Sequence, residues 1–177
     1  MTYTQHYDSP LGGILLAADE EGLTGLWFDG QKYFARTLPK EYAESETPVL
    51  CEAKRWLDIY FSGREPDFTP PLHPEGSAFQ QAVWALLLEI SYGETTTYGT
   101  LARKLAEKQG LTHMSAQAVG GAVGHNDISL IIPCHRVVGA SGSLTGYAGG
   151  VDKKIKLLEL ERADMKSFFV PKKGTAL

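Results

Sequence analysis

Over the first 30 positions, apolar and polar residues fall into short alternating runs separated by turn residues. Thr2–Tyr7, Gly13–Ala18 and Gly22–Phe28 read as strands, with Ser9-Pro10-Leu11-Gly12 and Asp19-Glu20-Glu21-Gly22 between them. The pattern predicts a small antiparallel sheet. From Pro48 to Phe61 the period lengthens: Leu50, Ala53, Trp56, Leu57, Tyr60 and Phe61 recur at helical spacing, and Ser62-Gly63 ends the run. A helix there would cover one face of the sheet. Between Arg64 and Gly76 stand Pro66, Pro70, Pro71 and Pro74, a density that neither a helix nor a central strand tolerates. This stretch is read as a linker, with the domain boundary between 75 and 76.

Beyond the linker the periodicity stays helical. Ser77 followed by Gln80 is a capping box, and Phe79, Val83, Leu86, Leu87 and Ile90 mark an inward stripe. A second helix is expected from Tyr98 to Lys108 with Leu101, Ala102 and Leu105 inward, broken by Gly110. Ser115 is the expected N-cap of a third, whose narrow apolar face is Ala118, Val119, Ala122 and Val123. Two such helices joined by a Gly-containing turn have the form of a helix-turn-helix. Gly120 and Gly121 each cost the third helix roughly 1 kcal/mol relative to alanine. That cost calls for something close to this backbone, either another helix or a nucleic-acid groove. Ile128–Ile132 is a short run ending in Pro133, a Gly-, Ser- and Thr-rich loop covers 139–150, and Val151 to about Arg162 forms a last helix on Ile155, Leu157, Leu158 and Leu160. The fold class is α+β: a sheet-and-helix domain over 1–75, then a mainly helical domain over 76–177 with a helix-turn-helix and an active-site loop.

Composition refines this picture. The net charge of −4 argues against a nucleic-acid partner, but residues 1–75 carry 6 Lys or Arg against 13 Asp or Glu while 76–177 carry 11 against 8. Only the second domain, at +3 against −7, is suited to face an acidic polymer. The two cysteines, Cys51 and Cys134, make neither a disulfide framework nor a zinc site, and point to a reducing, cytoplasmic setting. No apolar run reaches membrane-spanning length and no basic-then-apolar leader opens the chain.

The candidate chemistry lies at Pro133-Cys134-His135-Arg136-Val137, where a thiol sits beside an imidazole and a guanidinium on a loop that follows an apolar segment. An imidazole base or a nearby cation raises the thiolate fraction on which cysteine reactivity depends. A Cys-His dipeptide alone is equally compatible with an inert buried thiol. Orienting His135 would take a carboxylate from elsewhere; Glu161 is a candidate, and also an ordinary solvated helix-end charge. Trp27, Trp56 and Trp84 read as core, Lys153, Lys154 and Lys156 as a solvated face able to add phosphate contacts, and the tail after Met165 carries no signal.

Ile132-Pro133-Cys134-His135-Arg136-Val137 resembles the active-site signature of the O6-alkylguanine-DNA alkyltransferases. Ala118-Val119-Gly120-Gly121-Ala122, Asn126 and Gly146-Tyr147-Ala148-Gly149-Gly150 are similar to that family in order and spacing, so that most of 77–162 is covered. The resemblance implies a ribonuclease-H-like first domain and a monomer that binds double-stranded DNA, flips O6-alkylguanine out of the stack and transfers the alkyl group irreversibly to Cys134, once per molecule. It assigns His135 as the base acting through water, Glu161 as its support, and Tyr98 as the donor to the departing guanine. Asn126 braces the active-site turn and Tyr147 walls the pocket. Asn126, Gln117, Arg136, Val137, Tyr147, Ala148 and Gly149 would contact DNA or the flipped base. Displacement by sulfur at carbon needs no cofactor and no metal.

Two positions depart from the family pattern. Gln117 stands where an arginine commonly fills the gap left by the flipped nucleotide, which points to retained activity with altered efficiency. Asp127 stands where proline is common and is expected to loosen the turn. Three rival classes remain: a damage-binding module, against which Cys134 is present; a transcription regulator, for which the third helix offers only Gln117 and His125 as base readers before Asn126; and a cysteine hydrolase, which would turn over repeatedly.

Overall fold

The computed structural model describes residues 1–171; the end of the expected second domain, 172–177, lies outside the described residues. Two compact units divide the chain, one holding Met1–Glu75 with Asp127–Ile131, the other Gly76–Asn126 with the described residues from Ile132 onward. The expected division at 75/76 left Asp127–Ile131 in the second domain; the structure packs these residues into the first unit.

In the first unit β1 (Tyr3–Ser9), β2 (Gly12–Ala18) and β3 (Leu23–Phe28) form an antiparallel meander, and a two-residue β4 (Ala43–Glu44) adds parallel to β1 in the order β3-β2-β1-β4. The parallel edge was not expected from the alternation, which a two-residue strand is too short to show. Helix α1 (Pro48–Phe61) starts where Thr47 accepts from the Leu50 amide and Pro48 supplies a preset φ, and it buries Leu50, Ala53, Trp56, Leu57 and Tyr60. Large apolar side chains such as Leu50 and Leu57 each contribute roughly 1.5–3 kcal/mol when buried. The outer edge of β3 is covered twice. Leu23 donates to Pro71 O and accepts from the His73 amide at 2.8 Å each, while Leu26 donates to Asp127 O at 2.8 Å and accepts from the Ser129 amide at 3.1 Å. Covering an exposed strand edge in this way removes a template for aggregation.

The second unit runs α2 (Ala78–Leu87), β5 (Thr96–Thr97), α3 (Tyr98–Lys108), α4 (Ala116–Gly124), β6 (Val137–Val138) and α5 (Val151–Leu160). Ser77 and Gln80 form the expected capping box, and Thr97 and Ser115 cap α3 and α4 by accepting from the amides three residues on. Gly110, at φ +67°, takes the left-handed turn that ends α3. Helix α4 packs on α2 and α3, and the Trp84 indole N–H donates to Ala122 O at 2.8 Å. Its inward face is Val119, Gly120, Ala122 and Val123; Ala118, expected inward, is exposed. A side chain on Gly121 would meet nothing within 4 Å. No internal packing accounts for that glycine. Parallel pairing of Thr96 with Val137 and Thr97 with Val138 holds the segment after Cys134 beside the start of α3. Among the described residues no helix is long and apolar enough to cross a membrane.

Candidate active site

The chain reaches Cys134 through two tight turns. Pro133, at φ −83° and ψ 68°, centres an inverse γ-turn in which the Cys134 amide donates to Ile132 O at 2.8 Å. A single 3₁₀ turn over Cys134–Arg136 then feeds β6. The Asn126 carboxamide donates to the same Ile132 carbonyl at 2.8 Å and also hydrogen-bonds the Cys134 sulfur. Burial pushes the thiol up from its ordinary value, opposed by the Asn126 hydrogen bond, the charge of Lys154 and the local backbone amides. At rest Cys134 is therefore a thiol, 6% exposed, in surroundings prepared for the thiolate.

His135 and Glu161 are both buried, with Nε2 of the imidazole 2.5 Å from Oε2 of the carboxylate. Glu161 caps the C-terminal end of α5, and its oxygens accept from four donors: Oε1 from Arg136 Nε at 2.8 Å and the Gly93 amide at 3.1 Å, Oε2 from His135 and from Arg136 Nη2 at 3.2 Å. All four lone-pair positions of a carboxylate are thereby used. Burial alone would raise the Glu161 carboxyl; the hydrogen bonds and charges of its partners, the permanent Arg136 cation included, outweigh it and hold it well below the usual carboxylate range. Burial keeps His135 below its ordinary 6.5, so the ring is neutral at neutral pH. Because an ionised carboxylate only accepts, Nε2 carries the proton and Nδ1 is the basic nitrogen. Gly93 has φ +79°, and a Cβ there would stand 3.0 Å from the Glu161 carbonyl oxygen, which reserves the position for glycine.

Lys154 overturns its expected place on a solvated face. It is fully buried, and its ammonium donates to Val137 O at 2.6 Å and Thr145 O at 2.9 Å. Burial lowers it to about 8, partly opposed by attraction to Cys134. Lys154, Leu157, Leu158 and Glu161 follow the i, i+3, i+4, i+7 rule and share one helical stripe, so its phase on α5 was a usable signal. Tyr98 opens α3 almost wholly buried, with its hydroxyl 3.5 Å from Thr145 O; burial, then the nearby Cys134 charge, push it above the usual phenol range and keep it a donor. Tyr147 is buried with its ring edge-on to His135 at 6.5 Å and 79°. Ala148 and Gly149 are half-buried in the loop, and Gln117 is exposed on the first turn of α4.

Two expected DNA-contacting side chains are committed elsewhere. The Arg136 guanidinium is spent on Glu161 and on Ile90 O at 2.6 Å, and lies over the Tyr92 ring at 5.7 Å. Val137 is completely buried, and its carbonyl is the acceptor for Lys154. Asp127, expected to loosen the turn, is instead pinned within the first unit: Trp27 Nε1 donates to Oδ1 at 3.2 Å and Arg36 Nη2 to Oδ2 at 2.5 Å. Among the described residues no group of three His, Cys, Asp or Glu is arranged to hold a metal ion.

A sheet-and-helix unit followed by a helical unit that buries a thiol, one residue before a carboxylate-oriented imidazole, defines a cysteine-nucleophile protein. Comparison with known families narrows the class. Residues 2–74 match the ribonuclease-like domain and residues 78–163 the DNA binding domain of 6-O-methylguanine DNA methyltransferase. The methylated-DNA--protein-cysteine methyltransferase of Haemophilus influenzae is 43% identical over 161 residues, covering 90% of this chain and 86% of its own length. That of Methanosarcina acetivorans is 46% identical over 160 residues, covering 90% and 97%. The crystal structure of Mycobacterium tuberculosis OGT in complex with DNA is similar at a TM-score of 0.78 and 41% identity, covering 90% of this chain and 92% of that one. The chain belongs to the 6-O-methylguanine DNA methyltransferase family.

Proposed function

We propose that the protein repairs DNA by taking the alkyl group from O6 of guanine onto Cys134. Sulfur attacks the alkyl carbon, the S–C bond forms as the C–O6 bond breaks, and the electron pair leaves on the guanine ring. The thiol proton passes to His135 Nδ1, through a water, and guanine acquires a proton as it departs. Tyr98, kept protonated by burial, is the donor that assists departure. The carrying observation is the Glu161 carboxylate with four donors, because it leaves one tautomer to His135, which supports the reading of its Nδ1 as the base. A thioether is not hydrolysed, so each molecule acts once.

A thiol that is 6% exposed cannot reach a base stacked in a duplex, which supports extrusion of the damaged nucleotide. The second unit acts as the DNA-binding and transfer domain, and α4 presents Gln117, Ala118 and Gly121 to the nucleic acid; a glycine without an internal reason is what a close backbone approach needs. Gln117 fills the gap left by the flipped base without supplying charge, while Tyr147, Ala148 and Gly149 line the pocket and Asn126 holds the turn. The protein works as a monomer in the cytoplasm, where two free cysteines persist.

The test is a duplex holding one O6-methylguanine, supplied in excess and digested to nucleosides after incubation. Guanine is restored in an amount equal to the protein, and Cys134→Ala restores none. Guanine in large excess over protein would show a hydrolase, and none at all from wild type a damage-binding module.

A further inference from the structure

Asp127–Ile131 belongs to the first unit, yet its two ends are Asn126 and Ile132, the residues that brace Cys134. The segment lies along β3 through a parallel bridge between Leu26 and Ile128, with Asp127 O and the Ser129 amide bonded to Leu26. Asp127 is 3% exposed, with one carboxylate oxygen on the Trp27 indole and the other on the Arg36 guanidinium. Leu130 then takes φ +71°, a conformation a branched side chain holds only where its surroundings fix it, and the Ile131 amide closes on Ser129 O at 2.9 Å. Directly after this turn, Ile132 O accepts from both Asn126 Nδ2 and the Cys134 amide. A displacement of Asp127 therefore moves Asn126, its neighbour in the chain, and with it the hydrogen bond to sulfur.

We propose that Arg36 and Asp127 are positioning residues for alkyl transfer: their ion pair, buried at the Asp127 carboxylate, sets the register of the segment whose ends, Asn126 and Ile132, place the Cys134 sulfur. The inference rests on the alkyl-transfer reading of Cys134. It gives the first unit a part in the reaction. Arg36 acts at a sequence distance of 91 residues from Asp127, and does so through Asn126.

The experiment measures the single-turnover rate of methyl transfer at saturating duplex, and separately the affinity for undamaged duplex, for wild type, Arg36→Met, Arg36→Lys, Asp127→Asn, Asn126→Ala and the Arg36→Met/Asn126→Ala double variant. Arg36→Met slows transfer by about 10–100-fold, the range expected when reacting atoms are misplaced by about 1 Å, while its affinity for DNA is unchanged. Arg36→Lys, which restores a cation opposite Asp127, recovers most of the rate. The double variant is no slower than Asn126→Ala, because both changes act on one brace. Asp127→Asn keeps an acceptor for Trp27 and loses the charge; it slows transfer and decides the matter if Arg36→Met does not fold. A folded Arg36→Met or Asp127→Asn at the wild-type rate, or losses that multiply with Asn126→Ala, overturns the proposal. A wild type that transfers no methyl overturns the alkyl-transfer reading itself.

Discussion

Each unit sets an arginine on a buried carboxylate, and the two pairs do different work. In the second unit Glu161 accepts from four donors, one of which is a titratable imidazole. In the first, Asp127 accepts side-chain hydrogen bonds from an indole and a guanidinium, neither of which offers a basic nitrogen. The first arrangement fixes which nitrogen of His135 is basic, and so governs a proton. The second can only govern position. A buried ion pair is weak evidence for stability in itself, since desolvation offsets much of the attraction; what its partners can do distinguishes the two.

The largest effect tests the group both pairs serve. Cys134→Ala abolishes transfer and leaves binding to O6-methylguanine duplex in place, as a gel-shift titration beside the transfer assay would show. Next, Glu161→Gln slows transfer by roughly 10²–10⁴-fold, the usual worth of general acid–base assistance. It also lowers stability by about 3–5 kcal/mol, because Arg136 stays buried without its counter-charge; single-turnover kinetics and urea unfolding measure the two losses. Equal losses from Glu161→Gln and Arg36→Met would erase the distinction between the pairs.

The pH profile sharpens the contrast. The folded His135 value is lowered below 6.5, so the ring stays neutral as pH falls from neutrality and is protonated only below that value. The transfer rate is level around neutral pH and falls on the acid side, and Arg36→Met lowers the whole curve without shifting its bend. Since the unfolded chain binds this proton first, stability is also lost as pH drops below 6.5. The smallest effect is carried by Lys154. Its lowering from 10.5 to about 8 corresponds to roughly 3 kcal/mol of buried-charge penalty, present below about 8 and relieved as pH rises toward 10.5. Stability should rise over that window, as urea titrations at several pH values would show, and Lys154→Met should flatten the rise.

What was legible in the sequence had local causes. Helices α1 and α3 begin and end where the apolar spacing and their flanking residues place them, because caps, prolines and glycines act within one turn. The pairing of His135 with Glu161 follows from the family resemblance, since spacing alone leaves Glu161 an ordinary helix-end charge. The misreadings share a cause in partners distant along the chain. Ile128–Ile132 is apolar enough to be buried, but apolarity does not say against what, and Leu26 is its neighbour only in the fold. Asp127 was judged by its place beside Asn126, whereas its environment comes from Arg36 and Trp27. The resemblance gives Arg136 a DNA contact and the sequence puts Lys154 on a solvated face; the burial of each is set by acceptors on other elements, Glu161 and Ile90 for one, Val137 and Thr145 for the other.

The central claim is tested most directly by the intact mass of the protein after incubation with an excess of oligonucleotide carrying one O6-methylguanine. The account predicts that wild type gains one methyl and no more, on the peptide that holds Cys134, and that Cys134→Ala gains none. A wild type that binds the oligonucleotide yet keeps its mass, or that gains a methyl at any other residue, would contradict it.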